Sequence, residues 1–249
     1  MIVAQICYRF RVIWVFTPIY KDVDSFLILR ERILALGLGE KPRFVVIDDA
    51  AGQDPMVSAL RDLSDVHVLV CPVNLGHQDA LVFGLRSQAG KLADDDIVVT
   101  MDGDGQDQPS DIPALLAELE PANIVLARRT KRKETLKFKI MYVFFKIAFR
   151  LLTGLSIKSG NFAVMRGQTL KKVITDKKFN ICYSSTLTYI NVPVSYVGCE
   201  RGDRFAGQSR MDTVKLMKHG LRMMLPFHDR IELRLAIVIM AAVAVYVFR

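Results

Sequence analysis

Four strand-like runs, Val12 to Phe16, Arg43 to Ile47, His67 to Val73 and Ile97 to Met101, each give way to a polar break and then to helical spacing. After the first run, Asp24 or Ser25 can cap a helix that presents Phe26, Leu29, Ile33 and Leu36 on one side and stops at Gly37 and Gly39. The second run leads to a helix from about Pro55 to Leu63, and the third to Asn74-Leu75-Gly76-His77-Gln78 and a helix holding Ala80, Leu81, Phe83 and Leu85. Asp111 to Leu119 follows the fourth, with Pro113 tolerated in the first turn. Strands alternating with helices at this spacing predict an α/β fold, a mostly parallel sheet with helices on both faces.

Acids recur where these strands end: Asp22, then Asp48 and Asp49, then Asp102, Asp104 and Asp107. The carboxyl ends of parallel strands lie along one edge, so the pattern predicts that these acids gather at one site around one divalent cation. Mg²⁺ is held by one or two carboxylates plus substrate phosphates, and an Asp-x-Asp pair suits it. A helix-loop-helix calcium site is excluded, because its sixth and twelfth positions would fall on Asp107 and Pro113 instead of Gly and Glu. A solvated acidic turn without ligand is the plainer alternative. There is no Gly-x-Gly-x-x-Gly after the first strand and no Gly-Lys-Ser/Thr loop, so the nucleotide folds built on them are disfavoured.

The second half changes character. Past a strand at Asn123 to Ala127, the block Arg128, Arg129, Lys131, Arg132 and Lys133 precedes a helix in which Phe144, Ile147 and Leu151 alternate with Lys146 and Arg150. The net charge of +8 is concentrated here, which predicts an anionic partner: a phosphorylated substrate or an acidic membrane surface. Nucleic acid is disfavoured, since the basic residues are interleaved with a continuous apolar face and no recognition motif is present. Such a helix suits a membrane interface, although a core helix with a basic edge would look the same. Ser159 to Arg166 and Val192 to Val197 read as further strands, and 200–210 as a loop whose Arg204, Ser209 and Arg210 suit phosphate oxygens. The four cysteines form no Cys-x-x-Cys pair, so no zinc knuckle or redox motif is expected.

The expected organisation is a catalytic domain over 1–210 carrying the amphipathic helix at about 135–152, a juxtamembrane amphipathic helix over 211–230, and over 231–249 the start of a transmembrane segment, short enough to be a truncated one. A mean hydropathy of +0.24 supports an apolar surface beyond the core.

Six motifs in order, Thr17-Pro18-Ile19-Tyr20-Lys21-Asp22, Val46-Ile47-Asp48-Asp49-Ala50, Asn74 to Gln78, Met101 to Asp107, Ser159-Gly160-Asn161-Phe162 and Arg204 to Ser209, resemble the family 2 glycosyltransferases that use polyprenyl (dolichyl or undecaprenyl) phosphate. The resemblance implies a nucleotide-diphospho-sugar transferase fold of the GT-A type. It implies that Pro18, Tyr20, Asp22, Asp48, Asp49 and Gln78 serve the nucleotide, and that Asp102, Asp104 and Gln106 hold Mg²⁺ or Mn²⁺. Asp107, Arg129, Arg132, Arg204, Ser209 and Arg210 then fall near the reacting groups and phosphates. Lys21, Gly105, Gln108, Asn161 and Ala163 depart from the common family residues.

The implied activity is inverting transfer of a sugar from a nucleotide donor to a polyprenyl phosphate at the cytoplasmic face of the inner membrane. A homo-oligomer is compatible with it. The rivals are a family 2 enzyme extending a cell-surface glycan, for which Asp107 or His77 would be the base, and a catalytically silent membrane-binding relative.

Overall fold

The computed structural model describes residues 12–39, 41–120, 122–130, 136–157, 159–205 and 213–247. In chain order the elements are β1 (Ile13–Ile19), α1 (Val23–Leu34), β2 (Arg43–Asp48), β3 (Val66–Val70), α2 (His77–Ala89), β4 (Ile97–Thr100), α3 (Ile112–Ala117) and β5 (Ile124–Arg129). There follow α4 (Leu136–Thr153), β6 (Ser159–Arg166), α5 (Gly167–Val173), α6 (Tyr183–Tyr189), β7 (Val194–Cys199), α7 (Thr213–Met224) and α8 (His228–Val247). The segment Pro55–Asp62, expected as an α-helix, is wound as a 3₁₀ helix started by Asp54, whose side chain accepts from the Met56 N–H. The chain divides into two compact units, 1–132 with 159–208 and 133–158 with 209–249.

The first unit is built on a seven-stranded sheet ordered β3-β2-β1-β4-β6-β5-β7. It is parallel except at β6, which runs antiparallel to both β4 and β5. Register pairs Ile19 with Asp48 and Phe16 with Thr100, so β1, β2 and β4 end side by side. Both faces are buried, which is why these strands read as nearly continuous apolar runs. On one face Phe26, Leu29 and Ile33 of α1 pack with Phe44 and Leu115; on the other Leu81 and Leu85 of α2 pack with Phe16, Ile47 and Tyr183. Each such side chain contributes about 1.5–3 kcal/mol by leaving water, enough in sum to hold the strand ends rigidly.

The second unit contains α4, α7 and α8. An aromatic chain runs through it, with Phe145 to Phe149 centroids 5.8 Å apart and Phe149 to Phe227 edge-on at 5.7 Å. Over 231–249, expected as the start of a transmembrane segment, the described residues form one helix, and among the described residues no helix is long and apolar enough to cross a membrane. Glu232 and Arg234 lie in the early turns of α8, ahead of an uncharged stretch from Leu235 to Val247.

Candidate active site

The sheet edge where β1, β2 and β4 end carries two acidic loops with different surroundings. After β2, Asp48 is fully buried; one carboxylate oxygen accepts from the Ala50 N–H at 2.9 Å and the other from the Gly52 N–H at 3.0 Å. Asp49 accepts from the Leu75 N–H at 2.7 Å and the Gly76 N–H at 3.0 Å, and Asn74 donates to its carbonyl oxygen at 2.9 Å. Burial pushes the Asp49 carboxyl up, against the pull of those N–H groups. All four oxygens therefore hold backbone, fixing the turn at 50–52 and the entrance to α2.

After β4, the acids meet side chains instead. Asp102 Oδ1 lies 2.8 Å from His77 Nε2 and accepts from Asn161 Nδ2 at 3.2 Å. Asn161 also contacts His77, and Gln78 Nε2 donates to Asn161 Oδ1. Beneath them Thr100 donates to the Asn161 carbonyl at 2.7 Å and receives the Tyr183 hydroxyl at 2.7 Å. Asp104 accepts from the Gln106 N–H at 3.0 Å and pairs with Arg204 at 2.9 Å. Asp107, buried, accepts from the Asp102 N–H at 3.1 Å and faces Arg129 at 3.5 Å.

Charge in this loop is strained by burial. Burial would raise Asp102, but His77, Arg129 and the Asn161 amide hold it well below the ordinary carboxylate range. Burial and the Asp102 charge raise Asp104 and push Asp107 up to about 6, against the pull of nearby arginines. Burial works against His77 as a cation, yet Asp102 with Asp107 and Asp104 leaves its pKa raised.

The loop is covered by 200–205. Gly202 N–H donates to the Gln106 carbonyl and Phe205 N–H to the Asp104 carbonyl, both at 2.9 Å, while Arg201 donates to Gln106 Oε1. Gly105 sits at φ +84 under the Phe205 ring, where a Cβ would come within 2.5 Å of ring carbon. The ring therefore leaves room for glycine alone at this position. A small cleft opens among Gln106, Asp107, Arg129, Gly160 and Arg201.

Among the described residues no group of three or more His, Cys, Asp or Glu could hold a metal ion. The expectation that the acids of three strands converge on one ion is therefore corrected: Asp48 and Asp49 are turned to backbone, and Asp22 is the residue that precedes α1. Asp102 and Asp104 still fit a cation shared with phosphate oxygens, since mutually repelling carboxylates in a buried loop gain from a positive charge. Gln106, expected as a ligand, is engaged by Arg201. Pro18 is buried at the end of β1 and Tyr20, beyond it, is exposed. Arg132, Ser209 and Arg210 lie outside the described residues. The sequence pattern did not single out Arg201, Thr100 or Tyr183, and offered His77 only as a possible base and Asn161 only as a departure from the family; the presence of Asn74 to Gln78 and Ser159 to Phe162 among the motifs was the available signal.

The family model of glycosyl transferase family 2 matches residues 14–174, more than half of the chain. The chain belongs to glycosyl transferase family 2. It is 28% identical over 125 residues to the undecaprenyl-phosphate 4-deoxy-4-formamido-L-arabinose transferase of Proteus mirabilis, a match covering 47% of this chain and 37% of that relative. It is also 28% identical over 180 residues to the bactoprenol glucosyl transferase of Shigella phage SfV, covering 69% of this chain and 57% of the relative. The chain thus matches less than two thirds of these relatives' length. Among solved structures, the glucosyl-3-phosphoglycerate synthase of Mycobacterium tuberculosis, in complex with Mn²⁺, uridine diphosphate and glucosyl-3-phosphoglycerate, superposes with TM-score 0.60 at 16% identity, covering 89% of this chain and 80% of that one. At that identity the likeness establishes the nucleotide-sugar transferase fold of this family 2 chain.

Proposed function

We propose that this chain is an inverting glycosyltransferase that moves a sugar from a nucleotide-diphospho-sugar to a polyprenyl phosphate, such as undecaprenyl phosphate, at the cytoplasmic face of the inner membrane. The observation that carries this reading is the Asp102 and Asp104 pair after β4 with Arg129 and Arg204 beside it. Mg²⁺ or Mn²⁺ held by Asp102 and Asp104 would neutralise charge on the departing nucleoside diphosphate. Arg129 and Arg204 offer planar donor forks for the phosphates of donor and acceptor. His77 and Asn161 keep Asp102 ionised and aimed, as partners behind a metal ligand do.

A phosphomonoester has a second pKa of about 6, so the acceptor arrives mostly ionised and needs cations more than a base. Binding at a bilayer fits the exposed apolar faces of the second unit, while the chemistry resides in the first. The test is to screen nucleotide sugars with undecaprenyl phosphate in detergent and follow label into the organic phase, with Asp102→Ala and Asp104→Ala as controls. Metal-dependent transfer that survives both substitutions would overturn the site assignment.

One observation favours a second reading. Asp107, pushed up to about 6, is a carboxyl able to take a proton from a sugar hydroxyl, as a glycan-extending enzyme requires. Transfer to an oligosaccharide in place of the lipid phosphate would select it. Failure to bind any nucleotide in the presence of Mn²⁺ would exclude both enzymes and leave a silent relative.

A further inference from the structure

We propose that the second unit carries an anionic-lipid headgroup site between the end of α4 and the second turn of α8, in which Arg150 and Arg234 take a phosphate while Ile147 and Leu151 receive the adjoining chain. A cavity is lined by Ile147, Arg150, Leu151, Gly154 and Arg234, and among the described residues no carboxylate lines it. Positions 147, 150, 151 and 154 share one face of α4 and its continuation, as helical spacing requires.

The notch is shaped around Arg234. Its guanidinium donates to the Leu151 carbonyl at 3.3 Å, one of the carbonyls left without an N–H at the end of α4. It lies against Gly154, where φ is +75 and a Cβ would stand 2.3 Å from Nη2, so any larger residue would displace the arginine. A guanidinium has five N–H donors, and one bond to a carbonyl leaves donors for an anion. Arg150 adds a second positive charge to the same notch. Two like charges lining one cavity repel, and a phosphate held there by both turns that repulsion into charge-assisted contacts.

The walls decide which phosphate. Ile147 is 52% and Leu151 68% exposed, and the apolar strip continues through Phe144, which is 69% exposed, and Val143. The α8 face from Leu235 to Val247 is exposed throughout, so the charged notch adjoins an apolar surface that water disfavours. A soluble phosphate or nucleotide gains nothing from this surface. An acidic phospholipid gains from both parts, with its phosphate on the arginines and its first methylenes on Ile147 and Leu151.

This site rests on the membrane part of the proposed function and is separate from the acceptor chemistry, so the experiment reads the two apart. The full chain is sedimented with phosphatidylcholine vesicles and with vesicles containing phosphatidylglycerol. Stronger partition onto the anionic vesicles is expected, reduced about five-fold by Arg150→Gln and more by the double variant with Arg234→Gln, at about the worth of one basic residue near an anionic surface each. Leu151→Glu should weaken binding to both vesicle types. Because Arg234→Gln removes a helix-end contact, Arg150→Gln alone, with an unchanged melting curve, is the deciding variant. Equal partition of Arg150→Gln and wild type onto anionic vesicles overturns the site, as does full competition by millimolar inorganic phosphate. Sugar transfer to polyprenyl phosphate in detergent should be unaffected by Arg150→Gln; its absence in the wild type would sink the proposed function without touching the vesicle result.

Discussion

The loops after β2 and β4 begin alike, as acids at the end of a buried parallel strand, and end in opposite roles. Asp48 and Asp49 are saturated by backbone N–H groups from 50–52 and 75–76. Asp102, Asp104 and Asp107 meet mainly side chains, His77, Asn161, Arg204 and Arg129, that can turn away or re-pair when a ligand arrives. A carboxylate bound by several N–H groups acts as a structural tie, because replacing those donors strands the backbone of two loops. A carboxylate bound by flexible cations keeps charge available. The difference lies in the donors and not in the acids.

The comparison breaks most sharply at Asp104. Asp104→Ala should lower kcat/KM on the order of 10³-fold, the scale of losing electrostatic stabilisation in a transition state, while the melting temperature holds or rises as a buried repulsion is removed. A lowered melting temperature would mean that this loop, too, is structural. Asp49→Ala should do the reverse: a stability loss of about 3 kcal/mol in urea unfolding, from charge-assisted hydrogen bonds and orphaned N–H groups, with near-normal transfer by the folded fraction. His77→Ala sharpens the contrast, and a Mn²⁺ titration should show affinity weakened by roughly 10- to 100-fold, as for other residues that orient a ligand.

The smallest effect is in pH. Asp107 binds its proton more tightly folded than unfolded, since its pKa is raised from 3.8 to about 6. Its contribution to stability is therefore complete below the unfolded value and is lost as pH rises through about 6. Urea melts of chelated protein at pH 4.5 and pH 7 should show this decline, and Asp107→Asn should remove that part of it. A decline unchanged in the variant would assign it elsewhere.

Much of the first unit was legible in the sequence because its signals are local. Val12 to Phe16 and Ile97 to Met101 mark β1 and β4 to within a few residues, since continuous apolar runs ending in turn residues have few other uses in a parallel sheet. α5 and α6 escaped notice, as seven-residue helices carry less than two turns of periodicity. At the C-terminus the uncharged run from Leu235 to Val247 lies in α8, and among the described residues no helix is long and apolar enough to cross a membrane.

By itself the sequence determined the alternation of strand and helix, the placing of acids at strand ends and the family, all of which follow from residue spacing and turn chemistry along the chain. Only the tertiary structure decided which acids remain available. Asp49 is tied by residues 25 to 27 positions away, and Asp102 is aimed by Asn161, 59 positions away on a strand inserted antiparallel beside β4. The partners of a carboxylate are set by which distant segments the sheet order brings beside it, and no local pattern encodes that.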